Sequence, residues 1–570
     1  MLFFRPQCAS VLSFCLAVVI SWNSLEAASR QAVASRTGLV VTTSPYASEI
    51  GAKVLKQGGN AADAAVAVAL TLAVTWPAAG NLGGGGFALL RRPTGESFFI
   101  DYRETAPQAA RAQFYLDKEG QVIPEASSVG YRAVGVPGTP AGLALIHKRW
   151  GRLPWSRLVE PARRLAADGY RLEESHARML EQNKDLLRRF PASQKIFFPK
   201  AAAPAAGDLF IQKDLAKSLS LLQKGGVQVF YQGALAKSLV SAIQKEGGVL
   251  TLKDLAAYKA EVREPVHGHF QDFDVITAPP PSSGGTVLLE MLGMLAHDDL
   301  KALGYGSAAY SHLLVETMKR AFADRSEWFG DPAYIKNPIT ELVRPSYLAA
   351  RRGTIKDARA TPSSEIKAGD LGAIEKPDTT HFTIIDAEGM IVSNTYTLNG
   401  SFGSGAVAAG TGILLNNEMD DFAAKPGTPN MYGLLQNERN AIAPGKRPLS
   451  SMTPTIVLKD GKAILALGSP GGPTIINSVL QVMLNVLIHG MSIQEAIDAP
   501  RLHHQWMPDK VSWEPFGINP DTRRILEGQG HVFADKPRFM GDVQAVSFDA
   551  VRNQWVGGSD SRWGGSVAVP

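Results

Sequence analysis

The chain has 570 residues, of which 58 are Lys or Arg and 53 are Asp or Glu, so its formal net charge is +5. Because this small excess is not concentrated in a basic run, the charge pattern does not indicate nucleic-acid binding. With 45% hydrophobic and 19% charged residues, the composition is that of a globular protein and excludes a disordered or collagen-like chain.

The N-terminal residues have the pattern of a secretory signal peptide. Arg5 supplies a positive charge, residues 11–22 form an apolar run, and small residues follow. The run is shorter than the roughly 20 apolar residues of a membrane-spanning helix. We therefore predict a signal peptide over residues 1–28, cleaved at an approximate site, and a periplasmic or secreted protein with no membrane anchor in the mature chain. Both cysteines, Cys8 and Cys15, lie within it, so thiol catalysis and cysteine-ligated metals are excluded.

The first half of the mature chain is predicted to be mainly helical. Residues 60–75 are rich in Ala and Val and have the length and composition of a buried helix. The glycine-rich run 80–86 leads into a predicted hairpin formed by residues 87–90 and 97–101. From residue 140 to about residue 350 the pattern is that of amphipathic helices.

The pattern changes after residues 360–378, a polar stretch with Pro, Ser and Gly that we expect to be exposed and mobile. A hairpin is predicted from strands at 381–386 and 390–396. Further strands are predicted at 454–458, 463–467 and 543–548, and helices at 475–489 and 493–498. Strands and helices in both halves favour stacked sheets covered by helices.

Several common catalytic motifs are absent from the sequence. It contains no P-loop, no dinucleotide-binding fingerprint, no G-x-S-x-G elbow and no H-E-x-x-H. The pairs His267/His269 and His503/His504 have metal-like spacing, but a site needs further ligands, and we expect both pairs to be structural or at the surface. We therefore expect no metal and no organic cofactor, and a catalytic apparatus of another kind.

One junction in the chain could generate a nucleophile. A threonine hydroxyl needs a base within hydrogen-bond reach, and at a chain N-terminus its own amine, with a pKa of about 7.7–8.0, can be that base. Thr379 follows the polar stretch and precedes a predicted strand, so cleavage of the Asp378–Thr379 bond would create such a terminus. From the pattern alone, a loop entering an edge strand remains the simpler interpretation.

Longer motifs resemble those of the gamma-glutamyltransferases (gamma-glutamyl transpeptidases). In the second half they are Pro-Asp-Thr-Thr-His at 377–381, Thr-Tyr-Thr-Leu-Asn at 395–399, residues 412–422, Lys-Arg-Pro-Leu-Ser-Ser-Met at 446–452 and Gly-Ser-Pro-Gly-Gly at 468–472. In the first half they are 58–60, 80–87, Asp-Tyr-Arg-Glu at 101–104, 136–138 and 279–285. The resemblance covers nearly all of the mature chain in one order.

The resemblance implies an α/β (α+β) fold, the αββα sandwich of N-terminal-nucleophile hydrolases. One precursor would give a large subunit, 29–378, and a small catalytic subunit, 379–570, which associate as a heterodimer. Thr379 would first cleave the bond to Asp378 and then attack the γ-glutamyl carbonyl of glutathione and related compounds. The acyl group would pass to water or to an acceptor amino acid or peptide.

The resemblance also assigns roles in the acyl transfer. Thr397 would orient the nucleophile, and the backbone N–H groups of Gly471 and Gly472 would stabilise the oxyanion. Pro473-Thr474 departs from the Ser-Arg or similar pair of some relatives, which leaves the local geometry and the acceptor preference open.

Arg103 would bind the substrate α-carboxylate, because a guanidinium can hold a carboxylate through two hydrogen bonds. Ser450 and Ser451 would add hydroxyl contacts to the same carboxylate. Without the resemblance, Arg103 is an ion pair at a strand end and the serines are turn residues.

Asp421 would bind the substrate ammonium, with help from Glu418 and Asn399, and Tyr432 would cover the site as part of a lid. Without the resemblance, the acidic residues form a solvated face or a helix N-terminus, and Tyr432 is an ordinary loop aromatic.

Two other functions remain open at this point. One is an acylase of the same fold that acts on glutaryl-β-lactams or poly-γ-glutamate. The other is a non-catalytic periplasmic amino-acid-binding protein that is never processed.

Overall fold

The computed structural model describes residues 29–200, 202–369, 380–433 and 438–570. The predicted signal peptide and the predicted cleavage residues, Asp378 and Thr379, lie outside the described residues. Their assignments therefore stay predictions.

Two antiparallel seven-stranded sheets form the centre of the described structure. The first sheet has the strand order Val33–Ser35, Gln554–Ser559, Gln544–Asp549, Lys462–Gly468, Thr455–Lys459, Phe273–Thr277 and Val266–Phe270. The second sheet has the order Ser566–Ala568, Gly38–Thr42, Thr380–Asp386, Ile391–Thr397, Gly85–Arg91, Ser97–Asp101 and Glu261–Arg263. Each sheet contains strands from before and after the predicted cleavage junction, so the two halves share both sheets.

The two sheets pack face to face, and side chains alternate between that interface and the outer helices. In strand Gly38–Thr42, Leu39 and Val41 belong to the core between the sheets, whereas Val40 packs with the helical core. Strand Gly85–Arg91 shows the same alternation, which follows from the two-residue period of a strand. Because both faces are buried, the central strands are nearly continuous apolar or small-residue runs.

Helices cover the outer face of each sheet. Those over the second sheet include Pro45–Lys56, Ala61–Thr75, Thr139–Trp150 and Trp155–Asp168, and those over the first include Gly284–Leu295, Ala308–Trp328, Thr474–Leu487 and Ile493–Asp498. The remaining helices are Glu174–Gln182, Lys184–Arg188, Pro191–Phe197, Lys213–Gly225, Gln228–Tyr231, Ala234–Lys245, Leu252–Ala257, Leu300–Leu303, Ile339–Leu342, Pro345–Gly353 and Pro520–Gly528. The predicted αββα order of layers is confirmed. Within the described ranges, no helix has both the length and the apolar character needed to cross a bilayer.

The prediction of helices from residue 140 to about residue 350 is wrong for residues 261–277, which contain strands. A hairpin, Val266–Phe270 with Phe273–Thr277, supplies two strands of the first sheet, and Glu261–Arg263 is an edge strand of the second. The outer strand of the hairpin carries exposed His267 and His269 on its solvent side, and this polarity hides the strand pattern in the sequence.

The expectation that residues 360–378 are exposed holds for only some of the described residues, 360–369. Ser364, Glu365 and Lys367 are exposed, whereas Ala360, Ser363 and Ile366 are buried, and a 3₁₀ turn spans Ser363–Glu365. Backbone groups of this stretch bond to side chains from elsewhere in the folded protein, as described below.

Candidate active site

The strand that follows the predicted nucleophile lies inside the second sheet. Strand Thr380–Asp386 pairs with Ile391–Thr397 on one side and with Gly38–Thr42 on the other. Thr380 is opposite Tyr396, the residue before Thr397. This strand is therefore an interior one and not an edge strand, and it brings Thr380, the second residue of the predicted small subunit, close to Thr397.

Thr397 is buried at the end of its strand, and hydrogen bonds fix it there. Its hydroxyl accepts a hydrogen bond from the Asn399 backbone N–H at 2.7 Å. Its carbonyl oxygen accepts one from Asn81 Nδ2 at 2.7 Å, and Asn81 Oδ1 accepts another from the Gly84 N–H at 2.9 Å. The glycine-rich run 80–86 thus holds the backbone of Thr397 in place.

Asn399 lies next to the predicted lid residue. Its backbone has a φ of 74°, a conformation that Asn adopts more readily than most residues. Its side-chain Nδ2 donates to the Asn417 carbonyl at 3.0 Å, and the Tyr432 hydroxyl donates to its Oδ1 at 3.1 Å. The predicted binding residue and the predicted cover are therefore in contact.

Arg103 is fully buried, and groups of the chain surround its guanidinium. Nη1 donates to Glu418 and Nη2 donates to Asp421. Nε donates to the Pro448 carbonyl at 3.1 Å, and Nη2 also donates to the Leu449 carbonyl at 2.8 Å. The predicted carboxylate-binding and ammonium-binding residues are thus paired with each other.

Glu104 belongs to the same cluster, although the sequence analysis gave it no role. Its carboxylate lies 3.9 Å from Arg103 Nη1, it is buried, and neither oxygen has a hydrogen-bond partner among the described residues. Burial and then the charge of Glu418 raise the pKa of Glu104 well above its usual value. Its position directly after Arg103 is the feature of the sequence that could have indicated a role for Glu104.

The cluster places three buried carboxyl groups around one guanidinium. Burial also raises the pKa of Glu418, and Arg103 opposes that shift. Burial disfavours the charge on Arg103, but the neighbouring acids outweigh it and raise the pKa of Arg103. With Asp421 as the third acid, the cluster holds three carboxyl groups and one guanidinium, and those carboxyl groups that are ionised can stabilise a cation that enters it.

Ser450 and Ser451 are buried next to this cluster, since they follow Leu449 in the chain. The Ser450 hydroxyl accepts from the Met452 N–H at 3.1 Å, and the Ser451 hydroxyl accepts from the Arg325 guanidinium. Arg325 comes from the last turn of helix Ala308–Trp328, and nothing in that helical sequence distinguished it from other helical arginines.

Gly471 and Gly472 form the turn before helix Thr474–Leu487. Their φ angles are 126° and 60°, a range that favours glycine. The Gly471 carbonyl accepts from the Thr474 N–H at 3.1 Å and from the Thr474 hydroxyl at 2.6 Å. Thr474, which belongs to the pair that differs from the sequence of some relatives, therefore stabilises this turn through its hydrogen bonds.

A cavity of about 600 Å³ lies at this turn. Asn399, Tyr432 and Gly471 line it, together with Trp76 and Thr474 among others. The structure thus brings three of the predicted residues to one cavity.

The remaining predicted binding residues are buried and do not line that cavity: Arg103, Glu418, Asp421, Ser450 and Ser451. The two sets are adjacent along the chain, because Asn417, which bonds to Asn399, directly precedes Glu418.

His381, two residues after the predicted nucleophile, is neutral. Burial lowers its pKa to about 3. The Thr383 hydroxyl donates to the Gln544 carbonyl and so accepts from His381 Nε2 at 2.9 Å, which leaves Nδ1 to accept from the Thr395 hydroxyl at 2.8 Å. These bonds fix the ring in one tautomer and indicate a structural role.

The histidine pairs bond to protein groups. His503 Nδ1 accepts from Asn477 at 2.7 Å, and His504 Nε2 lies 3.1 Å from Asp509. His269 is exposed and lies 2.6 Å from Asp274. In the parts of the chain that the structure describes, no three His, Cys, Asp or Glu side chains are grouped to hold a metal ion.

Comparison with known proteins gives consistent matches. The sequence profile described as Gamma-glutamyltranspeptidase matches residues 47–569. The chain is 45% identical to a glutathione hydrolase proenzyme of Pseudomonas sp. (strain A14), over 96% of either chain.

Solved structures similar to this one include an acylase and a gamma-glutamyltranspeptidase. The cephalosporin acylase from Bacillus halodurans matches with a TM-score of 0.84 at 27% identity, covering 100% of this chain and 99% of that one. Helicobacter pylori gamma-glutamyltranspeptidase matches with a TM-score of 0.58 at 43% identity, covering 59% of this chain and 96% of that one.

Proposed function

Because the chain belongs to the gamma-glutamyltranspeptidase family, we propose that it is a gamma-glutamyltransferase with glutathione hydrolase activity, made as a precursor that cleaves itself before Thr379. The buried cluster around Arg103 carries the substrate assignment. One guanidinium with an excess of carboxyl groups suits the carboxylate and ammonium of a free α-amino acid, which is what the γ-glutamyl group presents.

Self-cleavage would proceed through an ester. The Thr379 hydroxyl attacks the Asp378 carbonyl carbon, the C–N bond breaks, and the threonine nitrogen takes up a proton and becomes a free amine. Water then opens the ester, which leaves a carboxylate on Asp378 and restores the hydroxyl. The products are the proposed large subunit, 29–378, and small subunit, 379–570.

Acyl transfer would use the same hydroxyl. The free amine of Thr379 accepts the hydroxyl proton as oxygen attacks the γ-carbonyl, and it returns that proton to the leaving amine. The N–H groups of Gly471 and Gly472 support the oxyanion, and Thr397 orients the nucleophile. Water or the amine of an acceptor amino acid or peptide then takes the γ-glutamyl group.

Substrate binding would exchange partners within the cluster. The incoming α-carboxylate competes with Glu418 and Asp421 for the guanidinium of Arg103, and the substrate ammonium takes its place beside the acids. Ser450 and Ser451 supply hydroxyl contacts to the carboxylate. Each charge of the chain keeps an opposite charge throughout, which limits the cost of burying the new ones.

The proposed location is the periplasm or the cell exterior, after removal of residues 1–28. The proposed partners are glutathione and other γ-glutamyl compounds, acceptor amino acids or peptides, and the second subunit. No cofactor takes part in the steps above.

The test compares the wild type with Thr379→Ala on denaturing gels. We expect two fragments for the wild type, the smaller beginning Thr-Thr-His-Phe by N-terminal sequencing, and one inactive chain for the variant. Thr380→Ala is the matched control, since it removes a neighbouring threonine hydroxyl that has no partner among the described residues. It should still be processed. A processed, active Thr379→Ala protein would refute the nucleophile, and an intact wild type would favour the amino-acid-binding protein.

The likeness to a cephalosporin acylase agrees with the acylase alternative. The form of it named from the sequence is an enzyme that acts on glutaryl-β-lactams. A glutaryl chain lacks the α-ammonium, so the surplus acids of the cluster, Asp421 among them, favour the γ-glutamyl group. Turnover of γ-glutamyl and glutaryl anilides by one preparation separates the two. Faster release from the glutaryl anilide would overturn the substrate assignment.

A further inference from the structure

Residues 361–369, at the end of the described part of the proposed large subunit, are held by side chains rather than left in solvent. Helix Ala308–Trp328 makes the first contacts. The Thr361 N–H donates to Glu316 Oε1 at 3.2 Å, and the Thr361 carbonyl accepts from Lys319 Nζ at 2.9 Å. Both backbone groups of Thr361 are therefore bound to side chains of this helix.

Two side chains from the other proposed subunit hold the middle of the segment. Asp509 Oδ2 accepts from the Ser363 N–H at 2.7 Å. The Trp506 indole N–H is shared between the carbonyls of Ser363 and Ile366, each at 2.9 Å. These bonds join regions about 140 residues apart in the chain, across the boundary between the two proposed subunits.

A third side chain holds the last described residue before the junction. Asp324 is fully buried, and its Oδ1 accepts from the Gly369 N–H at 2.6 Å. Arg351 and the Tyr347 hydroxyl, at 2.8 and 2.9 Å, fix the same carboxylate. The Trp328 indole N–H donates to the Gly369 carbonyl at 3.2 Å.

We propose that Asp324, Trp506 and Asp509, here called the clamp, are positioning residues for self-cleavage at Asp378–Thr379. This rests on the proposed function. The clamp fixes the chain at Gly369, nine residues before Asp378, while the strand pairing of Thr380 fixes it one residue after Thr379.

Fixing both ends of a short stretch removes conformations in which the Asp378 carbonyl lies away from the attacking hydroxyl, and productive geometry is a large factor in intramolecular reactions. The hydrogen bonds described above go from the clamp to residues 363–369, whereas acyl transfer uses Thr379, Thr397 and the glycines of the turn. Weakening the clamp should therefore slow maturation and leave the mature enzyme unchanged.

The test measures two rates on each protein. Full-length precursor is made by pulsed cell-free synthesis, and its first-order conversion to two chains is followed on denaturing gels. Turnover of a γ-glutamyl anilide is then measured on material that has matured fully. Trp506→Phe keeps the aromatic ring and removes the shared N–H, and we expect conversion about fivefold slower with kcat and KM unchanged.

Two further comparisons separate positioning from general stability. Asp509→Asn keeps an acceptor for the Ser363 N–H, so it should convert faster than Asp509→Ala. Trp513→Phe is the matched control, because it removes an indole N–H that bonds to Ala534 and not to the clamped segment. It should convert at the wild-type rate.

If Trp506→Phe and Asp509→Ala both convert at the wild-type rate, the proposed role of the clamp in self-cleavage is refuted. A loss of kcat that parallels the slower conversion would refute it as well. A wild-type precursor that never converts contradicts the proposed function instead, so the two failures are distinct.

Discussion

Gly468 and His381 touch across the two central sheets, so closely that a Cβ on the glycine would overlap the imidazole ring. His381 belongs to the strand that begins one residue after the predicted nucleophile, and Gly468 ends the strand that leads to Gly471. The contact therefore sets the spacing between the strand of the nucleophile and the turn that would carry the oxyanion donors.

Gly468→Ala should disturb that spacing. We expect a loss of about 1–3 kcal/mol in the free energy of unfolding, because the neighbours of a buried added methyl must shift. Turnover should fall as well, since the shift acts on the turn at Gly471. Urea unfolding and γ-glutamyl anilide turnover measure the two effects. The control is Gly353→Ala, which has no atom within 4 Å of its new Cβ. Wild-type stability and turnover in Gly468→Ala would contradict the prediction.

Protonation of His381 should destabilise the fold in acid. Its pKa is about 3 in the folded protein and about 6.5 when unfolded, so between these values the unfolded chain binds a proton that the folded one does not. The free energy of unfolding should therefore fall as the pH falls from about 6.5, by up to about 1.4 kcal/mol per pH unit.

Urea unfolding between pH 7 and pH 5 tests this contribution. His381→Gln should show a shallower dependence on pH than the wild type, because a titrating group is lost. His267→Gln is the control, since His267 is exposed, and it should keep the wild-type slope. Equal slopes in all three proteins would show that His381 does not titrate as described.

The sequence predicted best those elements whose environment is uniform along the chain. Helix Ala61–Thr75 and the hairpin of Thr380–Asp386 with Ile391–Thr397 are buried along their whole length, so an Ala/Val-rich run marks the helix and β-branched and aromatic residues mark the strands. The hairpin Val266–Phe270 with Phe273–Thr277 was missed because its outer strand has a polar solvent-facing side.

Motifs in the sequence named candidate site residues, but contacts between distant residues could not be read from it. Asn399 and Tyr432, which the resemblance assigned to the site, meet at the cavity. The bond from Arg325 to Ser451 joins positions 126 residues apart, and no local pattern could reveal it. The same holds for the burial of Ser363 and Ile366, whose backbone groups have partners far along the chain.

Glu104→Gln should stabilise the protein at high pH. Burial and Glu418 raise the pKa of Glu104 in the folded state, so folding favours the protonated acid. As the pH rises above the unfolded pKa of about 4.3, the unfolded chain releases that proton first, and wild-type stability is progressively lost. A glutamine is neutral at every pH, so the variant should lack this loss.

The free energy of unfolding of Glu104→Gln and of the wild type, measured at pH 5 and pH 8, tests the direction of this pH dependence. The variant's advantage should be larger at pH 8 than at pH 5. Glu261→Gln, which changes a half-exposed acid outside the cluster, is the control and should show no such difference. An advantage confined to pH 5 would mean that Glu104 is ionised when the protein folds.

Thr397→Val should impair self-cleavage even though it preserves the shape of the side chain. The substitution leaves the buried Asn399 N–H without the hydroxyl that accepts its hydrogen bond at 2.7 Å, at a cost of about 1–3 kcal/mol. Because Thr397 ends the strand beside the predicted junction, we expect conversion to two chains to slow by roughly tenfold or more.

Thr397→Ser keeps the hydroxyl and should convert near the wild-type rate, so the serine variant separates the hydrogen bond from the loss of a methyl group. Thr317→Val is the matched control, since the Thr317 hydroxyl is buried and has no partner among the described residues. If Thr397→Val and Thr317→Val convert equally fast on denaturing gels, the Thr397 hydroxyl has no part in cleavage. If Thr397→Ser is as slow as Thr397→Val, packing of the methyl group rather than the hydrogen bond controls the rate.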